Sequence, residues 1–323
     1  MNRYSELTPL SIQEQIDITV NALIFFCPVN KKRTGLPLEE NKLPHFLKWC
    51  NDTQGIDWWP KMHRITELFK VLCHKGCLHG NEHIGFLNIL ERTNIEGNGY
   101  LFLGKYLGKN FIADQIIQNL ACITGKKGED EHIGSGILIS SRLILTCKHV
   151  LNDMKLDKKV KVNNKEYTIL KSESHSNLDF GFILLETPVE DGLYHKDIAL
   201  KEHSLLEEIV IAGFPKIPNN RAPIPIFQSG EINGKIATYL DPHKELLLFS
   251  AVARPGNSGG PILSHDGKIL GIVIESLERE KEEVDNYKTT LPFFAAIPAK
   301  LILEKYSELE ISKEHKLPWE DYQ

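Results

Sequence analysis

Three residues that can pass a proton and attack a carbonyl stand far apart in this chain: His149, Asp179 and Ser258. Ser258 lies in Gly256-Asn257-Ser258-Gly259-Gly260-Pro261, directly after Arg254-Pro255. Glycines on both sides let the backbone turn tightly and aim its N–H groups at one point. A serine at the centre of such a turn can act as a nucleophile beside amides that receive an oxyanion. Serine needs a base that titrates near neutrality, and histidine is that group. The imidazole in turn needs a carboxylate to fix its tautomer and stabilise its cation. Taken singly, each residue has an ordinary structural reading: His149 ends a strand-like run, Asp179 opens one as a turn former, and a glycine-flanked serine is a loop. Their joint occurrence points to acyl transfer.

The elements that must carry these residues follow from the pattern. A chain of 323 residues holds about two domains and a sizeable core. Its composition, 41% hydrophobic and 25% charged, is that of a globular protein, and a net charge of −5 argues against a chain-wide nucleic-acid polyelectrolyte. The nearest thing to a membrane span, Ile18 to Val29, is interrupted by Asn21 and stopped by Pro28, and follows Glu14 and Asp17. Neither an anchor nor a signal peptide is expected. Cys27, Cys50, Cys73, Cys77, Cys122 and Cys147 sit mostly in apolar runs and read as reduced thiols of a cytoplasmic protein.

Ser11 and Glu14 form a capping box ahead of Ile12, Ile16, Val20 and Leu23, which predicts a helix over residues 10–27. Further helices are predicted over 44–50 and 62–72, the latter closed by Gly76, and then two strands, 84–90 and 100–103, around Gly97-Asn98-Gly99. This reads as a small winged-helix-like module. After a short helix at 111–119, strand signals dominate: 120–123, 136–139, 143–146, 159–162, 167–170, 180–185, 208–212, 225–228, 246–249, 269–274 and 293–297. Turn residues separate them at short intervals, the texture of a barrel or sandwich. Residues 186–203 read as a crossover between two halves, and 298–306 as a closing helix.

Six stretches in order carry a family resemblance: Gly134 to Ser140 (GSGILIS), Leu145 to Val150 (LTCKHV), Leu178 to Leu185 (LDFGFILL), Ile211 to Pro215 (IAGFP), Gly256 to Pro261 (GNSGGP) and Phe294 to Pro298 (FAAIP). Residues 118–306 resemble a trypsin-like (chymotrypsin-fold) serine peptidase, and within that family the disulfide-free bacterial Deg/high-temperature-requirement type. The order His, Asp, Ser is that of this family's triad. The resemblance implies an all-β double β-barrel, 118–190 and 205–300, and says nothing of the first 110 residues; with the small mainly helical, winged-helix-like domain read there, the chain is expected to be α+β and multidomain. The expected divisions are 1–109, an adaptor domain; 110–310, the peptidase domain; and 311–323, a tail. The resemblance implies that Ser258 attacks a peptide carbonyl, His149 takes its proton, Asp179 holds the ring, and the Gly256-Asn257-Ser258 backbone forms the oxyanion hole. No cofactor and no metal are expected.

Departures from the family pattern sharpen these expectations. Asn257 stands where digestive enzymes carry an aspartate that pairs with a freed N-terminus, so activation by that cut is not expected. Cys147 and Val150 leave no disulfide across the histidine loop. No PDZ-like domain is expected after the peptidase. Counting back from Ser258 puts Val252 at the floor of the primary pocket, with Ile274, Glu275 and Ser276 along one wall. An apolar side chain before the cut is the resulting expectation, with the charged loop 278–288 overhanging the cleft.

In the first domain, Cys73, Cys77, His79 and His83 invite a zinc reading, but Cys-x3-Cys-x-His-x3-His is cramped beside finger spacing, and core packing of the thiols is the expectation. Trp58-Trp59-Pro60 reads as a contact patch or as buried loop anchors. Residues 1–110 hold 13 Lys and Arg against 11 Asp and Glu, with no basic stripe, so nucleic acid is not the expected partner. A protein partner bound through residues 1–109 is, and the layout is similar in outline to bacterial defence and death systems that join such peptidases to helical adaptors. The partners expected are thus a protein substrate and a docking protein, with no membrane. Two other readings are a peptidase fold that binds peptide without cutting it, and a protease with a DNA-binding first domain.

Overall fold

The computed structural model describes residues 8–28, 31, 37, 39–88, 100–220, 222–237, 245–277 and 293–320. Contacts divide the chain into two units, Met1–Phe111 and Ile112–Gln323. In the first, helix α1 (Ile12–Phe25) starts at the capping box: Glu14 N donates to Ser11 Oγ at 3.2 Å and Ser11 N to the Glu14 carboxylate at 2.9 Å. Helices α2 (Leu43–Gln54) and α3 (Met62–His74) follow. Their apolar stripes bring Phe25, Phe26, Phe46 and Phe69 together with Phe86, the closest ring pairs 5.0 Å apart, mostly edge-on or tilted as ring quadrupoles favour.

The expected hairpin is placed differently. Strands β1 (His79–Asn81) and β2 (Gly85–Leu87) pair around residues 82–84. Tyr100 to Leu103, predicted as a strand, is instead a 3-10 turn, Leu101–Leu103, running into α4 (Gly104–Leu107). Leu101 and Leu103 are both buried, and a two-residue apolar spacing cannot tell one helical turn from a strand. Gly97-Asn98-Gly99 lies outside the described residues. Trp58 is buried whereas Trp59 is 45% exposed, so the pair divides between anchor and surface.

Helix α5 (Lys109–Ile116) spans the boundary between the units and leads into the second. Strands β3 (Leu120–Lys127), β4 (Asp130–Leu138), β5 (Leu143–Thr146), β6 (Lys155–Leu156), β7 (Lys159–Val162), β8 (Lys165–Ser174) and β9 (Gly181–Leu185) build the first sheet. Pairing in the order β4-β5-β9-β8-β7-β3, with β3 returning to β4, closes six of them into a barrel, and β6 adds to β3. Strands β10 (Glu208–Gly213), β11 (Ile226–Ala237), β12 (Glu245–Phe249), β13 (Pro261–Ser264), β14 (Ile269–Leu277) and β15 (Phe293–Pro298) close the second, in the order β10-β11-β12-β15-β14-β13. Both expected six-stranded barrels are present. The second is filled by Ile209, Ile211, Ile232, Leu247, Phe249 and Ile262. β13 has no counterpart among the predicted strands because it begins at a proline after two glycines and reads as turn.

Beyond α7 (Ala299–Tyr306) the described residues run to Glu320, and those of the expected tail, 311–320, are bonded to the rest of the second unit. After a 3-10 turn, Glu310–Lys313, the backbone of Leu200 exchanges hydrogen bonds with Pro318 O (2.7 Å) and Glu320 N (2.9 Å). Lys268 Nζ pairs with Glu320 at 2.7 Å. No described helix is long and apolar enough to cross a membrane.

Candidate active site

The apolar run of β5 ends at Cys147, whose extended backbone caps the short helix α6 (Lys148–Asn152). His149 therefore sits in the first turn of a helix, one step past the strand end that the sequence predicted for it. Asp179 lies in the turn between β8 and β9. The two meet twice: Asp179 Oδ1 accepts the backbone N–H of His149 at 2.9 Å, and Oδ2 lies 2.7 Å from His149 Nδ1. The carboxylate fixes both the main chain and the ring, leaving Nε2 as the basic nitrogen.

Ser258 shares one cleft of about 700 Å³ with His149; Gly256, Arg254, Val273 and Ile274 also line it. Its hydroxyl donates to Ile274 O at 2.8 Å. A hydroxyl has one proton, so in this conformation that proton is directed at the carbonyl.

The turn before the serine is built for amides. Gly256 has φ +99°, and a Cβ there would meet Phe214 O at 2.5 Å, so both conformation and space demand glycine. Asn257 N donates to Arg254 O at 2.8 Å. Among the described residues, neither the Gly256 nor the Ser258 N–H has an acceptor. Two unpaired donors flanking a nucleophile are what a developing oxyanion requires. The Asn257 N–H is used within the turn, so of the three residues expected there it contributes by holding the shape. Among the described residues, its buried side-chain amide has no partner for either atom.

Ser135 ties this turn to the first barrel. Its fully buried hydroxyl donates to Gly256 O at 2.6 Å and accepts Phe214 N–H at 2.8 Å. Its backbone N–H donates to Ser258 O at 2.8 Å. Sequence reasoning quoted Ser135 as part of a motif and missed this task.

The pocket prediction fares less well. Val252 is 43% exposed and is not among the cleft residues, whose wall on that side begins at Ala253. It is a surface residue, not a floor. Ile274 does line the cleft. Glu275 and Ser276 continue β14, and their side chains, like the loop 278–288, lie outside the described residues.

Two groups of metal-ligand residue types were also tested. Cys77 is buried, with its thiol pushed up to about 12 by burial, whereas His79 and His83 are exposed. The first-domain cluster thus faces two ways. Among the described residues, ligand atoms of Cys147, His149 and Asp179 do gather, all within 4.8 Å. Two ligands of one tetrahedral zinc stand about 3.3 Å apart, given bonds of about 2.0–2.1 Å. The 2.7 Å between His149 Nδ1 and Asp179 Oδ2 is the spacing of a shared proton.

The second unit resembles known proteins in sequence and fold. Residues 134–272 match the model of the trypsin-like peptidase domain. Human serine protease HTRA4 is 28% identical over 143 residues, 43% of this chain and 29% of its own length. A rat serine protease, HTR4, is 29% identical over 143 residues, 43% of this chain and 28% of its own. The chain thus spans under a third of the curated relatives it matches. Among solved structures, the Rv3671c protease of M. tuberculosis in its active form is 15% identical, with TM-score 0.48, covering 62% of this chain and 84% of that one. Residues 134–272 are thus similar to trypsin-like peptidase domains, and the curated relatives that match are serine proteases of the HtrA type.

Proposed function

We propose that the chain is a serine endopeptidase acting through His149, Asp179 and Ser258. The observation that carries this is the doubly bonded His149–Asp179 pair beside a cleft that His149 shares with Ser258, whose turn holds two N–H groups, of Gly256 and Ser258, without an acceptor among the described residues. The Ser258 hydroxyl first turns from Ile274 O toward His149 Nε2. Oγ then attacks the peptide carbonyl carbon, its proton passing to Nε2 while Nδ1–H stays on Asp179. The carbonyl oxygen takes up negative charge at the N–H groups of Gly256 and Ser258. Collapse breaks the C–N bond, and the amine leaves with the proton from Nε2. Water, deprotonated by the same nitrogen, hydrolyses the acyl-enzyme.

With Asn257 in place of an acid, oxyanion-hole formation is not tied to a new N-terminus. We place the control in the rotation of Ser258 away from Ile274 O and in a protein partner bound by residues 1–109. The substrate is a particular protein rather than polypeptide at large, in a cytoplasmic setting such as a bacterial defence pathway. Among the described side chains behind the apolar preference, Ile274 lines the cleft, and that preference rests on it. The test is a trap: Ser258→Ala, expressed in place of the wild type, retains proteins whose cleavage ends appear only with the wild type. Proteins held equally by both and cut by neither favour the non-hydrolytic binding module instead.

A further inference from the structure

Four residues before Asp179 stands His175, a histidine 3% exposed that the reaction above does not use. Its Nδ1 accepts the N–H of Asn177 at 3.2 Å and of Leu178 at 2.9 Å. An imidazole nitrogen that accepts carries no proton, so the proton is on Nε2, donated to Glu308 Oε2 at 2.9 Å. The turn is closed by His175 N to Phe180 O at 3.0 Å and Phe180 N to Leu178 O at 2.9 Å. The imidazole also stacks on Phe180, centroids 5.1 Å apart and planes 21° from parallel. Asp179 thus lies between one residue whose N–H the imidazole holds and one whose ring it covers.

The support behind His175 comes from the far end of the chain. Glu308 follows α7, and its carboxyl is held below the usual carboxylate range by Lys305 at 2.8 Å and then by His175. Two residues before His175, the Glu173 carboxylate accepts the N–H groups of Glu310 at 2.6 Å and Ile311 at 2.9 Å. Phe182, at the other side of the turn, packs edge-on against Tyr306 at 5.1 Å. The segment from Tyr306 to Ile311 is therefore fastened on both sides of the Asp179 turn.

We propose that His175, backed by Glu308, is a positioning residue that aims the Asp179 carboxylate and, through it, the His149 imidazole. The inference rests on the proposed roles of His149, Asp179 and Ser258. Because both Asp179 oxygens bond to His149, a displaced turn drags the base with it.

Full-length His175→Ala, His175→Asn and Glu308→Ala test this. Asparagine accepts the N–H two residues on by itself, so it rebuilds the turn without Glu308. Since a misplacement of about 1 Å can cost about a hundredfold, His175→Ala is expected to lower kcat about tenfold or more with KM within about twofold. His175→Asn recovers most of that loss, and Glu308→Ala falls between. A readout free of turnover is the downfield proton resonance of His149 Nδ1–H, recorded in a Ser258→Ala background. It broadens or shifts in His175→Ala and returns in His175→Asn. An unchanged resonance in His175→Ala, or equal kcat loss in both His175 variants, overturns the proposal. If His175→Ala does not fold, the resonance in Glu308→Ala decides in the same way. A resonance that responds as expected in a protein that never cleaves sinks the hydrolytic reading alone.

Discussion

Ser135 shows how a site can depend on a side chain that never meets substrate. Its hydroxyl joins the carbonyl of Gly256, on the nucleophile turn, to the N–H of Phe214, at the end of β10. Gly213 is glycine for the same reason, since a Cβ there would meet Ser135 Oγ at 2.7 Å. Ser135→Ala leaves a buried N–H and a part-buried carbonyl unpaired, at about 1–3 kcal/mol for a buried group. It also frees the Gly256–Asn257 peptide, which adjoins the Gly256 N–H proposed as an oxyanion donor, and removing such a donor costs about 10²–10³-fold in kcat. We expect kcat of Ser135→Ala to fall about ten- to a hundredfold with KM little changed, since only a donor's orientation is lost. Steady-state kinetics on one peptide substrate checks this. The residue types of the site were legible because a nucleophile, base and acid in family order leave few readings. Ser135 was not, because its partner is 121 residues away and a hydroxyl in a Gly-Ser-Gly run has no spacing that announces a bond. Val252 misled for a related reason: counting along the chain assumes a loop geometry that this loop does not follow.

At the scale of elements, local signals carried through and long-range ones did not. The Ser11–Glu14 capping box was visible as two residues three apart, and both of its bonds are present. Ser11→Ala is expected to destabilise the first unit by ~1 kcal/mol. Urea unfolding of full-length protein, followed at the tryptophans (Trp49, Trp58 and Trp59 lie in that unit), measures it; no change contradicts the cap's role. Strands β5 and β7 match their predicted limits, because continuous and alternating apolar runs are both strong signals. The hairpin after α3 was misplaced because Gly80, where a Cβ would meet Gly85 O, and Gly85, where one would meet the Asn41 side chain, look no different in sequence from Gly97 and Gly99. Residues 311–323 were read as a tail because the partners of Ile311, Pro318 and Glu320, namely Glu173 and Leu200, lie more than a hundred residues earlier.

For the whole molecule, the connection between the two barrels contributes to the response to acid. His195 and His203 both lie in it, and burial holds each below its ordinary pKa. Above about pH 6.5 both are neutral, folded or unfolded, and contribute nothing to the pH dependence. Below that, the unfolded chain binds protons that the folded sites refuse, so stability falls as pH drops toward the depressed folded values. Urea midpoints measured from pH 7.5 to 5 should decline, and His195→Gln with His203→Gln should flatten that decline; an unaltered slope contradicts the assignment. The central claim, that Ser258 is a nucleophile activated by the His149–Asp179 pair, is tested most directly by a fluorophosphonate probe on full-length protein. Mass spectrometry is predicted to find the phosphonyl adduct on Ser258 in wild type, none in Ser258→Ala, and a strongly slowed reaction in His149→Ala. Equal adduct in wild type and Ser258→Ala, or wild type and His149→Ala reacting at the same rate, would contradict it.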